Sequence, residues 1–200
     1  MTELGHPPNG PAACPPSQAA TVQVWDLPLR ICHWALFASV VIAWFSANVH
    51  DALHEASGYL VMGLVAFRLI WGFTGTTYVR FARFVRPPPV VLRYMRDLAR
   101  GRVTRELGHN PAGAAMTLLL LVLLTISTIS GWMQLTHRFF GVTWVELLHS
   151  YSSNLVIVFA IIHVLGVLLM CVLQKENLVR AMITGRKVAS NGHKKDEGSS

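Results

Sequence analysis

Four long apolar segments constrain the fold of this 200-residue chain more than any other feature. They cover approximately residues 31–49, 57–75, 113–135 and 148–173. An α-helix rises about 1.5 Å per residue, so each segment is long enough to cross the ~30 Å hydrocarbon core of a membrane. A helix of a soluble bundle would carry a polar face, and the stretch 117–126 has none. We therefore predict an all-α integral membrane protein built as a four-transmembrane-helix bundle.

The distribution of arginine and lysine predicts the orientation of the bundle. Basic residues crowd the connection 76–112 and the tail after the fourth segment, whereas the connection 48–56 has none and the connection 136–147 has only Arg138. Because basic residues favour cytoplasmic loops, we expect both termini and the long middle connection to be cytoplasmic. This distribution accounts for the net charge of +7. Nucleic-acid binding is not indicated, because no cluster of lysines with interleaved aromatic residues occurs. The crowded residues are Arg80, Arg83, Arg86, Arg93, Arg96, Arg100, Arg102, Arg105, Lys175, Arg180, Arg186, Lys187, Lys194 and Lys195.

A short cytoplasmic amphipathic helix is predicted between spans two and three, behind the three prolines at 87–89. Apolar and charged residues alternate there at helical spacing, which is typical of a helix lying on the inner leaflet. A solvated basic loop is the alternative. The apolar set is Val91, Leu92, Met95, Leu98 and Ala99, and the charged set is Arg93, Arg96, Asp97 and Arg100.

The two ends of the chain and its cysteines complete the outline. Residues 1–22 and 189–200 are rich in proline, glycine or polar residues and are interpreted as disordered cytoplasmic tails flanking one domain, residues 23–188. The first 24 residues lack the apolar core of a signal peptide. Cys14, Cys32 and Cys171 are too few and too widely spaced for a disulfide framework. No Cys-x-x-Cys-His motif for covalent haem attachment occurs.

Histidines inside the apolar segments are the strongest functional signal, because a polar residue in a membrane span is costly. His33 lies near the inner end of the first segment, and His54 lies at the outer start of the second. His149 opens the fourth segment, and His163 follows fourteen residues later, on the same helix face and ~21 Å further along the axis. By depth, His33 pairs with His163 and His54 pairs with His149.

Two imidazoles approaching from opposite sides match the needs of six-coordinate haem iron. Zinc or nonhaem iron would require three or four converging ligands, and only Cys32 and Glu55 lie near these levels. We therefore expect two haems at two membrane depths. His50, one turn before His54, is an alternative ligand, although a solvent-facing position suits it better.

Further residues are candidates for contacts to the cofactor. Arg30 and Arg68 are candidates for the haem propionates, because a guanidinium matches a carboxylate bidentately; snorkelling of Arg68 to the interface is the alternative. His109, before Asn110 and Pro111, would contact a propionate or a quinone headgroup, or it belongs to a simple helix-start signal.

Glycines and tryptophans have structural as well as functional interpretations. Gly58, Gly131 and Gly166 leave room for a flat cofactor or serve helix packing. The six tryptophans are interpreted as interfacial anchors. They are Trp25, Trp34, Trp44, Trp71, Trp132 and Trp144.

Several motifs together resemble the bacterial cytochrome b561 and nickel-hydrogenase b-type cytochrome family. The resemblance covers about residues 22–188. Its motifs are Val24-Trp25-Asp26-Leu27-Pro28-Leu29-Arg30-Ile31-Cys32-His33-Trp34, His54-x3-Gly58, Gly108-His109-Asn110-Pro111-Ala112-Gly113, His149 with His163, and Glu176-Asn177-Leu178-Val179-Arg180-Ala181-Met182-Ile183-Thr184-Gly185-Arg186-Lys187.

The resemblance implies a multi-pass cytochrome of the bacterial inner membrane with two b haems, whose axial ligands are His33, His54, His149 and His163. It implies electron transfer between quinone (ubiquinone or menaquinone) and a partner redox protein. The short outer connections favour a periplasmic cytochrome c, or a membrane-associated oxidoreductase, over a hydrogenase. A superoxide:quinone oxidoreductase at the outer face and a haemless membrane anchor are the alternatives.

Overall fold

The computed structural model of the chain describes residues 21–23, 25–74, 86–101, 111–175 and 177–188. Four of its helices are long and apolar enough to cross a membrane, which confirms the predicted all-α four-span architecture. The elements are β1 (Thr21–Gln23), α1 (Leu27–Ser46), α2 (Asp51–Thr74), α3 (Pro88–Ala99), α4 (Pro111–Gln134), α5 (Thr143–Gln174), α6 (Leu178–Thr184) and β2 (Arg186–Val188). The spanning helices are α1, α2, α4 and α5.

The spanning helices begin earlier than their apolar segments. Helix α1 begins at Leu27 rather than near residue 31, because the Asp26 side chain accepts a hydrogen bond from the Leu29 amide at 3.0 Å and Pro28 occupies the first turn. Helix α5 begins at Thr143, five residues before its predicted start at 148. Hydropathy marks where lipid begins, whereas the helix itself begins at its cap.

The bundle buries small polar side chains and exposes large apolar ones. Helix α1 packs against α2, α2 against α4, and α4 against α5. The Ser46 and Ser130 hydroxyls each donate to the carbonyl four residues earlier at 2.7 Å, so their polarity is satisfied within the helix. Small side chains let the backbones approach closely, while residues such as Phe45 and Val172 (each 75% exposed) face outward. The buried serines are Ser39, Ser46, Ser57, Ser127, Ser130 and Ser152.

The amphipathic segment after the prolines is helical, as predicted, rather than a basic loop. Pro88 and Pro89 fill the first turn of α3, where a missing amide hydrogen costs nothing. Tyr94 is buried and α3 packs against α4, while Arg93 and Arg96 are exposed. The position of α3 on the inner leaflet stays a prediction.

The two ends of the described chain meet at one end of the bundle. Strand β1 pairs with β2 in antiparallel fashion, with Gln23 opposite Arg186. The Trp25 amide donates to the Gly185 carbonyl at 3.2 Å, and the Arg30 guanidinium donates to the Ile183 carbonyl at 2.8 Å. We call this assembly of β1, β2 and their linking bonds the clasp. Because β1 and β2 flank the spanning helices, their pairing requires the chain to cross the membrane an even number of times. This agrees with the prediction that both ends of the domain lie on the same side of the membrane.

Two tryptophans pack at the clasp end of the bundle. Trp25 and Leu29 are buried together against Trp71, and the Trp71 indole donates to the Asp26 carboxylate at 3.0 Å. The interpretation of the six tryptophans as interfacial anchors stays a prediction. The four outside this cluster are at least 38% exposed.

Replacement of Gly185 should weaken the clasp more than a matched glycine replacement elsewhere. Gly185 has φ +76°, and a Cβ there would lie 2.6 Å from the Trp25 carbonyl oxygen. Gly141 has φ +70° but open space around it. Alanine in a left-handed backbone conformation costs about 1–2 kcal/mol at either position. Any additional loss of stability in Gly185→Ala therefore reports the contact between the new Cβ and the Trp25 carbonyl oxygen. Thermal unfolding of both variants in detergent checks this, and equal melting temperatures would contradict it.

Candidate functional site

The rings of His54 and His149 face one another near the end of the bundle opposite the clasp. His54 on α2 and His149 on α5 have ring centres 6.1 Å apart, with an angle of 81° between the ring planes. The structure thus brings together the two histidines that were predicted from the sequence to lie at the same level of the bundle.

Each of these rings is held by a backbone carbonyl of a neighbouring helix. His54 Nδ1 lies 2.8 Å from the Ala43 oxygen of α1, and His149 Nδ1 lies 2.8 Å from the Ser127 oxygen of α4. A carbonyl oxygen can only accept, so Nδ1 must carry the proton in both rings. The proton-free Nε2 is then left as the metal-binding nitrogen, which is the usual arrangement of a ligating histidine.

A cavity of about 520 Å³ surrounds this pair and receives side chains from all four spanning helices. Its volume lies within the ~300–1,000 Å³ typical of cofactor sites. Gly58 and Gly131 line it, as the sequence suggested. A Cβ on Gly131 would lie 2.9 Å from His149 Cε1, so the missing side chain provides the space that the ring occupies. Gly166, by contrast, is exposed with open space around it.

A second pair of rings, His33 on α1 and His163 on α5, lies nearer the clasp. Their centres are 6.4 Å apart, with an angle of 63° between the ring planes. Arg68 is buried (5% exposed) and lies near His33 and Cys32. The Cys32 thiol donates to the Leu64 carbonyl at 3.5 Å, and both Cys32 and Cys171 are free thiols.

Both pairs have the spacing expected of two imidazoles bound to one metal ion. With metal–nitrogen bonds of about 2 Å on each side, the two ring centres lie roughly 6 Å apart. Among the described residues, no three histidine, cysteine, aspartate or glutamate side chains converge as a different metal site would require. Two ligands on opposite sides suit a metal whose remaining ligands come from a planar cofactor such as haem.

The other residues singled out in the sequence occupy different surroundings. His50 is exposed, and it is His54 that lies opposite His149. His137 is also exposed. Arg30 takes part in the clasp through Ile183. His109 lies outside the described residues.

Comparison with known proteins gives the family. Residues 24–185 match the family described as prokaryotic cytochrome b561. The chain belongs to this family. A Rhodobacter capsulatus protein named "Probable Ni/Fe-hydrogenase B-type cytochrome subunit" is 24% identical over 84% of this chain and 81% of its own length. A protein of the same name from Bradyrhizobium diazoefficiens is 23% identical over 84% of this chain and 86% of its own length. No solved structure matches.

Membership confirms the family resemblance and the class of chemistry. A prokaryotic cytochrome b561 is a bacterial membrane protein that transfers electrons by means of b-type haem. The lipid bilayer and a redox partner follow from the same membership.

Two features of the site could not be found in the sequence. His54 and His149 are held by backbone carbonyl groups. Because every residue type has such a group, the identity of Ala43 or Ser127 does not reveal this contact. Gly131 was noted as small, but nothing in the sequence indicated that His149 fills its space.

Replacement of Gly131 should lower the haem content by displacing the His149 ring. Alanine at this position places Cβ 2.9 Å from the ring, whereas Gly63 on the exposed side of α2 has open space. Both changes gain about 1 kcal/mol of helix propensity, so Gly63→Ala is a matched control. We expect Gly131→Ala to bind less haem per chain than Gly63→Ala, measured by absorbance of the purified proteins. Equal haem content would contradict the role of Gly131.

Proposed function

We propose that this protein is a di-haem cytochrome b that carries electrons across the bacterial inner membrane between the quinone pool and a partner redox protein. His33 with His163 would hold one haem, and His54 with His149 the other. The observation that supports this most is the occurrence of two ring pairs, at 6.4 Å and 6.1 Å, in one bundle. Because His149 and His163 share α5, fourteen residues separate the pairs by about 21 Å along the axis.

The haem iron, when bound, supplies reversible one-electron oxidation and reduction. The chain supplies the environment. Two histidines at each site would both bind the haem iron, which favours electron transfer over oxygen binding. The carbonyls of Ala43 and Ser127 hold the rings of His54 and His149 and would increase the basicity of the nitrogens proposed to bind iron.

Two arginines are proposed to hold haem propionates near the pair formed by His33 and His163. Arg68 is buried beside His33 and Cys32, where an anionic group would be a favourable neighbour. Arg30 uses one nitrogen for the Ile183 carbonyl, while its Nε is buried without a hydrogen-bond partner among the described residues. That Nε is a donor to which a carboxylate could bind. His109 stays a proposal for a propionate or a quinone headgroup, with ubiquinone and menaquinone as the candidate quinones.

The orientation is proposed from charge, with the clasp and both termini in the cytoplasm. Basic residues near the clasp end include Lys175, Arg180 and Arg186, whereas the connections at the opposite end carry one described arginine, Arg138.

The charge of the outer end also favours one class of partner. Asp51 and Glu55 line the cavity around His54 and His149, and Glu146 lies in the first turn of α5. A negative rim attracts a cationic protein, so a basic periplasmic cytochrome c is the proposed partner. The same rim would repel the superoxide anion, which counts against a superoxide oxidoreductase. The name of the two relatives makes a membrane-bound hydrogenase the second candidate partner.

Replacing one histidine of a pair should remove one haem and spare the other. We expect His54→Ala and His149→Ala to lose the same spectral component, and His33→Ala and His163→Ala to lose the other, because each pair shares one iron. The haem-to-protein ratio should fall from two to one per chain in each variant. His50→Ala is the control and should retain both. Loss of both haems from every variant, or a deficit in His50→Ala, would refute the pairing.

Electron transfer from quinol to a basic cytochrome c should depend on the acidic rim. In vesicles that contain the full chain and quinol, we expect Asp51→Asn with Glu55→Gln to lower the rate about 3–10-fold at low ionic strength, with the difference disappearing in high salt. Asp97→Asn on α3 removes a carboxylate from a different element and should leave the rate unchanged. No cytochrome c reduction by the unaltered protein would rule out this partner, while quinol-dependent haem reduction would still test the quinone step.

A further inference from the structure

The elbow between α5 and α6 forms an open groove outside both histidine pairs. Helix α5 ends at Gln174, Lys175 adopts a left-handed conformation with φ +51°, and α6 begins at Leu178. The groove has a volume of about 640 Å³ and is lined by residues on both sides of this turn.

Hydrogen bonds within the turn fix the shape of the groove. The Leu178 amide donates to Cys171 Sγ at 3.3 Å, and the Arg180 amide donates to the Asn177 side chain at 2.8 Å. Cys171 and Asn177 both line the groove. These two bonds hold the backbone of the turn on which the groove is built.

The lining combines an apolar wall with two cations. Leu168 and Val172 of α5 and Ile183 of α6 are 50%, 75% and 59% exposed, so they present apolar surface outward. Lys175 and Arg180 are the charged residues of the described lining. Glu176 lies outside the described residues. Lys175 directly follows a helix that is long and apolar enough to cross a membrane, and lipid headgroups lie beyond the ends of the hydrocarbon core.

We propose that this groove binds one anionic phospholipid. The phosphate would lie between Lys175 and Arg180, and an acyl chain would run along Leu168 and Val172. Basic pockets at the ends of spanning helices recognise anionic headgroups in this way. The charge of the groove favours an anionic lipid over a zwitterionic one, whose positive group the two cations repel, and over a quinone, which is uncharged.

A lipid at this position would also stabilise the clasp. Helix α6 continues through Gly185 into β2, and Ile183 both lines the groove and accepts the hydrogen bond of Arg30. Occupation of the groove therefore holds α6 where β2 can pair with β1.

Native mass spectrometry of the full haem-loaded protein with added phosphatidylglycerol or phosphatidylcholine tests the proposal. We expect the unaltered chain to retain one phosphatidylglycerol in preference to phosphatidylcholine. The double variant Lys175→Asn, Arg180→Gln should lose this preference by roughly tenfold or more. The control Arg93→Gln, Arg96→Gln removes the same charge from exposed positions of α3 and should keep the preference.

A second variant tests the apolar wall separately. Val172→Trp fills the groove at a 75% exposed position and leaves both cations in place, so it should weaken phosphatidylglycerol binding without loss of haem. Three results would overturn the proposal: equal loss of preference in both double variants, unchanged binding in Val172→Trp, or displacement of phosphatidylglycerol by a ubiquinone analogue.

Discussion

Hydrocarbon offers no hydrogen bonds, so every polar group inside this bundle must find its partner within the protein. Serines meet this requirement locally, because hydroxyls such as those of Ser46 and Ser130 donate to carbonyls one turn back in the same helix. Histidines 54 and 149 meet it across helices, through the carbonyls of Ala43 and Ser127. The local bonds leave the helices free to pack in many ways, whereas the histidine bonds tie α2 to α1 and α5 to α4. The Cys32–Leu64 and Ser127–Ser153 hydrogen bonds join the same two pairs of helices. The bonds that orient the candidate site therefore also help to hold the bundle together.

The same requirement explains why the rings are well oriented for the proposed role as ligands. A carbonyl that takes the proton on Nδ1 decides the tautomer and directs Nε2 into the space between the helices. Gly131 completes the arrangement by leaving room for the His149 ring. On α5 the fourteen-residue interval repeats the orientation of His149 at His163, close to four helical turns later. In the proposed arrangement, one helix supplies a histidine at each depth, and α1 and α2 need to supply only one each.

The sequence was informative wherever the signal was hydropathy, periodicity or a rare residue in an unusual place. It predicted the four spans, the helix after the prolines and the partners of each histidine pair, because all three follow from spacing along single helices. It did not predict the start of α1, since a hydropathy window does not register the cap at Asp26. It also did not predict that Trp25 and Trp71 pack together at the clasp end, because that contact forms only when distant segments of the chain are brought together. Pairing of residues 21–23 with 186–188 joins segments at opposite ends of the domain, and neither strand carries a pattern that identifies the other.

The clasp also has a consequence for the order in which the molecule is completed. Strand β1 is among the first parts of the described chain to be synthesised, and its partner β2 is the last. Strand β1 therefore has no partner strand until the end of the described chain has been made, while the later helices enter the membrane one after another. Contacts of such long sequence separation are slow to form. His33, on the helix that follows β1, gains its position opposite His163 only when α5 is in place, so the end of the bundle next to the clasp is completed only after the whole described chain has been made.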